Sequence, residues 1–165
     1  MIAYDPAEWS DLFVATAGAS AALAGLVFVA VSINIERILG EAGLPDRALE
    51  TLLLLVAVLL VSVVGLIPGQ GNSALGAELL FISLAIFLVI ARLPTLVLAS
   101  GFEPPRSWIW TRWSLRLAGT IPFVVGGASV LLEAGGGLYW IAAGIVFAVV
   151  GAIANAWVLL VEILR

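Results

Sequence analysis

Five apolar stretches, roughly 12–39, 49–67, 74–100, 115–132 and 138–164, occupy most of this 165-residue chain. About 20 residues of helix cross a hydrocarbon core of about 30 Å, so each stretch reaches or nearly reaches bilayer length. The second and fourth lie near that minimum, and the others exceed it and must tilt or protrude. Water is the wrong solvent for such a chain: 63% of its residues are hydrophobic and 11% charged, too few polar groups to cover an exterior. Strands fail as the spanning element because the period-two alternation of a barrel is missing. The expectation is an all-α, polytopic integral membrane helix bundle. It forms a single domain, 1–165, with five transmembrane helices, and four is the fallback.

The ends of the runs carry helix breakers: Pro68 with Gly69, Gly101 with Pro104 and Pro105, and Gly135-Gly136-Gly137. "YDPAEW" reads as a helix start, with Asp5 as N-cap, Pro6 at the first helical position and Glu8 at the third. The acidic opening "MIAYDPAEWSD" lacks the positive region of a cleavable signal, so the first stretch is expected to remain as a helix.

Arginine placement predicts orientation. Arg37 and Arg47 lie between the first and second stretches, Arg106, Arg112 and Arg116 between the third and fourth, and Arg165 after the fifth. "PGQGNSALGAE", "EAGGGL" and the residues before the first stretch hold none. The positive-inside rule then puts the N-terminus outside and the C-terminus inside, which an even number of spans would violate. Trp9 and Trp140 fall at the outer interface, and "PPRSWIWTRW" at the inner one. Residues 104–114 are therefore expected to form an interfacial segment. In it Trp108, Trp110, Arg112 and Trp113 would anchor the chain or contact lipid headgroups.

Residue types narrow the chemistry. The chain has no Cys and no His, and its seven basic residues are all Arg. Thiolate and imidazole chemistry, the Schiff-base amine and the common metal-ligand sets are thus unavailable. No catalytic residue, cofactor or metal site is expected, and the chain reads as a non-enzyme. "GQGN" and "GGGL" lack the strand and lysine of a phosphate loop and read as turns. A net charge of −4 opposes nucleic-acid binding.

In lipid, helices associate through small residues that admit close backbones and through polar side chains. The fifth stretch repeats Gly144, Ala148, Ala152 and Ala156 every four residues, which predicts a packing seam with Ile145, Phe147 and Val150 turned towards lipid. The first stretch carries Gly18, Ala22, Gly25, Ser32 and Glu36 on one face. Thr16, Ser20, Ala30 and Asn34 lie on roughly the opposite one, so this helix is expected to be central. The second, nearly uniform Leu and Val, is expected to be peripheral.

Arg92 lies inside the third span, about 12 Å from its cytoplasmic end at 1.5 Å rise. A charge there costs about 2.5–3.5 kcal/mol on insertion scales and requires a partner or water. An inner polar cluster of Asn34, Glu36, Glu50, Arg92, Asn155 and Glu162 is expected, centred on Arg92 paired with Glu162 or Glu36. It could fix packing, line a permeation path or hold a lipid headgroup. Pro94 and Pro122 free the carbonyls of Ile90 and Ala118 and are expected to bend their helices.

The segment "GASAALAGLVFVAVSINIERILGEAGLPDRALETLLLLV" resembles a group of small multi-pass bacterial membrane proteins of unassigned role, some labelled modulators of the FtsH membrane protease. The resemblance covers about the first 70 residues and brings no catalytic motif. It implies a non-enzymatic regulator on a protease complex.

Together these features point to a scaffold or modulator of the bacterial cytoplasmic membrane. Its expected partners are membrane lipids, further copies in a homo-oligomer, or another membrane protein complex. The alternative is a homo-oligomeric ion or proton channel, or a small carrier, with a polar inner vestibule.

Overall fold

The computed structural model describes residues 2–41, 43–99 and 106–164, with side chains described outside 94–112 and 163–164. Two 3-10 turns, Ile2–Tyr4 and Pro6–Trp9, precede six helices: α1 (Ser10–Ile33), α2 (Ile35–Gly40), α3 (Leu44–Gly65), α4 (Asn72–Ala99), α5 (Arg106–Leu131) and α6 (Leu138–Leu164). Five of them are long and apolar enough to cross a membrane, and no strand occurs among the described residues. Asp5 caps the second turn: its Oδ1 accepts from Ala7 N at 3.1 Å, and Pro6 occupies the first helical position.

Four helices close a ring. α3 packs on α4, α4 on α5, α5 on α6 and α6 back on α3, while α1 lies outside against α3. This reverses the expected placement of the first two spans. Of the apolar stretch of α3, 56% is buried, against 11% in the first span. Leu54, Leu55, Ala57, Val58 and Val61 of α3 fill the core beside Leu75, Phe123 and Ile141. The misreading has a physical cause. Leu and Val are as much at home against a lipid tail as against each other, so a uniform run does not say which way it faces.

Glycines on α3, α4, α5 and α6 set the closest approaches. A Cβ on Gly127 would stand 2.5 Å from Leu80 N, and one on Gly76 2.4 Å from Leu131 N, so α4 and α5 touch backbone to backbone. Gly126 lies under Ile141 and Gly144 under Phe123, joining α5 to α6. The expected α6 seam is present: Ala148 and Ala152 are buried and Ala156 is half-buried, while Phe147 and Val150 are exposed. Ile145, expected to face lipid, is buried in the core instead, because α6 has neighbours on both flanks.

Three boundaries differ from the sequence reading. The first span ends at Ile33, since Asn34 leaves helical geometry and donates its Nδ2 to Ala30 O at 2.9 Å. A short α2 follows, and its Ile38 packs against Leu44, Ala48 and Leu159. The second span begins at Leu44, which draws Arg47 into the helix. The helix of the fourth span, α5, begins at Arg106, ahead of its apolar stretch Trp113–Leu131, so the segment expected along the interface is, from Arg106 on, the opening of α5.

At the end of the bundle that holds the N-terminal turns, Trp9 Nε1 donates to Ile2 O at 2.8 Å and the Trp9 ring meets Tyr139 edge-on at 4.8 Å. Tyr4 Oη accepts from Gly136 N at 3.2 Å. Gly137, at φ +56, lies so close beneath Ala3 O and the Tyr4 ring that any side chain there would collide.

Candidate functional site: a buried ionic layer

α3 and α5 stand on opposite sides of the ring, and one ion pair crosses it. Arg116 donates through Nε at 2.9 Å and Nη2 at 2.7 Å to the same oxygen, Oε2 of Glu50. The two side chains are 4% and 2% exposed. Glu50 lies six residues into α3, about 9 Å from its start. The pair is thus set within the apolar bundle, where a lone charge of either sign would be expensive.

Each helix prepares its charged residue in the same way. Thr51 Oγ1 donates to Arg47 O and Thr120 Oγ1 to Arg116 O, both at 2.7 Å. "RALET" and "RLAGT" share an Arg followed four residues later by a Thr that bonds back to its carbonyl. Such back-bonding satisfies a buried hydroxyl without a tertiary partner and bends the helix slightly.

α6 supplies the amide. Gly151 faces Leu54 and Leu115, while Leu159 packs with Leu44 and Ala48. Asn155, midway between them on α6, therefore lies level with Glu50. It is 7% exposed, and its Nδ2 has no hydrogen-bond partner among the described residues. Arg47, also buried, feels the charges of Glu50, Glu162 and Arg116. The layer thus joins Arg47, Glu50 and Thr51 on α3, Arg116 and Thr120 on α5, and Asn155 on α6, with Glu162 beyond.

This is a polar cluster with a different centre from the one expected. Glu50 and Asn155 belong to it and Glu162 lies at its rim, but the arginines are Arg116 and Arg47, which the sequence reading counted as loop charges. Arg92 is exposed on α4, which packs against α5 and α3 and has no more than glancing contact with α6 or α2. Glu36 is exposed on α2, and Asn34 is half-buried and turned back on its own helix. Neither joins the layer. The repeated Arg-x-x-x-Thr spacing was the available signal for Arg47 and Arg116.

The small residues of the first span are also placed otherwise than expected. Gly18, Ala22 and Gly25 are exposed, and a Cβ on either glycine would meet nothing within 4 Å. What holds α1 is its other face. Thr16 and Ser62 hydroxyls lie 2.8 Å apart, and Phe13 packs over Gly65. Trp113 is half-buried on α5, whereas the side chains of Trp108, Trp110 and Arg112, the expected headgroup anchors, lie outside the described residues.

At the opposite end, Tyr4, Asp5, Pro6, Ala7, Gly69, Gln70 and Asn72 line an open recess of about 430 Å³. Gln70 Nε2 donates to Glu78 at 2.6 Å and Asn72 Nδ2 to Glu133 at 3.1 Å, while Gln70 Oε1 is buried and has no hydrogen-bond partner among the described residues. Among the described residues no group of carboxylates is arranged to hold a metal ion.

Five bilayer-length apolar helices, four of them ringed about a buried ion pair, define a multi-pass α-helical membrane protein. Comparisons with protein-family models, curated proteins and solved structures gave no match.

Proposed function

We propose that this chain is a non-enzymatic membrane protein that self-associates, or seats on another membrane complex, through the outer face of α1. One observation carries the reading. α1 is long enough to cross the bilayer yet has one substantial neighbour, α3, and the face turned away from it carries Gly18, Ala22 and Gly25. Small residues on a lipid-facing surface forfeit contacts with acyl chains but admit a second backbone closely. In such a pairing between copies of equal orientation, the exposed Glu36 and Arg37 lie at the same depth and can pair reciprocally.

The orientation that fits is N-terminus outside, in a bacterial cytoplasmic membrane. Arg37, Arg47 and Arg116 share the end at which α2 lies, while Asp5, Glu8, Asp11, Glu78 and Glu133 fall at the other. If the complex is the one implied by the resemblance, the partner is a membrane protease. Because the chain has no Cys, one introduced cysteine is a unique probe. Gly18→Cys or Gly25→Cys should cross-link to a dimer or to a partner in native membranes, and Leu60→Cys on α3 should not. Absence of any adduct, with a monomeric mass in mild detergent, sinks the reading.

A channel or carrier is the second reading, favoured by the polar layer that Asn155 joins. Flux of protons or monovalent cations into liposomes, lost in Glu50→Gln, would support it. Permeability equal to that of empty liposomes removes it.

A further inference from the structure

We propose that the recess between the N-terminal turns and the α3–α4 loop binds a small protonated amine, with Asp5 as countercharge and the side-chain carbonyls of Gln70 and Asn72 as acceptors. The inference stands apart from association through α1. It starts from how the two amides are turned. Gln70 Nε2 donates to Glu78 at 2.6 Å and Asn72 Nδ2 to Glu133 at 3.1 Å. A carboxylate only accepts, so each nitrogen faces its glutamate and the oxygen is what each amide has left to offer. Gln70 Oε1 is buried and meets no donor among the described residues. Asp5 adds a carboxylate, one oxygen of which receives Ala7 N at 3.1 Å, and Pro6 brings no N–H. Of the side chains lining the recess, only the Tyr4 hydroxyl keeps a proton to donate.

The field has the matching sign. Asp5 lines the recess, and Glu78 and Glu133 stand behind its two amides. Arg92 on α4 is 20 residues beyond Asn72, about 30 Å along the axis. The positive pole where α4 starts is about half a charge, and the negative pole where α3 ends at Gly65 offsets it. The carboxylates therefore decide the field. Size then selects among cations. At about 430 Å³ the recess falls in the range of small-molecule sites, about 300–1,000 Å³. A dehydrated metal ion needs about six to eight oxygens at about 2.3–2.6 Å and would leave most of that space unfilled. An ammonium group instead offers several N–H donors to separated acceptors, and its alkyl part has Tyr4, Pro6 and Ala7 beside it.

Purified protein in neutral detergent is titrated calorimetrically with ethylammonium chloride at constant ionic strength. Tetraethylammonium chloride and calcium chloride are titrated separately. Ethylammonium should saturate, and tetraethylammonium, which has no N–H, and calcium should bind at least about tenfold more weakly. Asp5→Asn should weaken ethylammonium about tenfold, the worth of one charge-assisted contact. It keeps the turn, because Asn caps a helix as well as Asp does. Gln70→Met removes the second acceptor and reads the same loss should Asp5→Asn fail to fold. Glu41→Gln removes an exposed carboxylate at the opposite end of the bundle and should leave the affinity unchanged. The proposal is overturned if ethylammonium does not saturate, or if tetraethylammonium or calcium binds as tightly. It is overturned equally if Asp5→Asn and Gln70→Met bind like the native chain, or if Glu41→Gln weakens binding as much as Asp5→Asn.

Discussion

Arg116 reaches across the helix ring and places two of its N–H groups on one carboxylate oxygen of Glu50, 66 residues earlier in the chain. Removing either partner takes from the other the buried ion pair that crosses the ring, in an apolar setting. Glu50→Leu and Arg116→Leu should each cost about 3–5 kcal/mol, and the double replacement much less than their sum. Equilibrium unfolding in mixed micelles checks this. Additive losses would mean the two groups do not act as a pair.

Glycine positions should divide sharply. Gly127→Ala and Gly76→Ala drive a methyl group into facing backbone, which cannot swing aside as a side chain can. Each should lose about 2 kcal/mol or more. Gly18→Ala meets open space and should stay within about 0.5 kcal/mol in the monomer. Thermal unfolding of the three variants in one detergent makes the comparison.

The Thr16–Ser62 contact that links α1 to α3 should be weak. Interhelical hydrogen bonds in membrane proteins average about 0.6 kcal/mol, because the separated helices find other partners for their hydroxyls. A double-mutant cycle with Thr16→Val and Ser62→Ala should return a coupling of about that size. Gly65→Leu, which displaces the Phe13 ring from the same seam, should loosen α1 far more.

Tyr4→Phe removes the acceptor for Gly136 N. Hydrogen exchange across 134–140 should quicken while α3 keeps its protection, with a global loss of about 1 kcal/mol. Unchanged exchange there would show that the tyrosine hydroxyl does not hold the turn.

Span number and the α6 seam were legible in the sequence because each rests on one-dimensional facts: apolar length, breakers and a four-residue repeat. The order of packing was not. Asn34 ends the first span with its side chain bonded back to the Ala30 carbonyl, which no hydropathy run records. Arg47 resembles a loop charge by position, yet α3 starts earlier than its apolar run suggests and carries it into the bundle, and Arg116, at the very start of its apolar run, turns inward instead of staying at the interface. Glu50 was correctly placed in a polar cluster. Its partner was missed because depth along a helix can be read from sequence, whereas which helices face one another across a ring cannot.

The outlying position of α1 also bears on biosynthesis. α1 enters the membrane ahead of the helix that holds it, and the ring closes only when α6 follows. During that interval the Glu50 carboxylate must wait in the nascent chain until the arginine 66 residues downstream has been translated. A ribosome stalled between α4 and α5 would therefore leave Glu50 in the membrane without the arginine that reaches it across the ring.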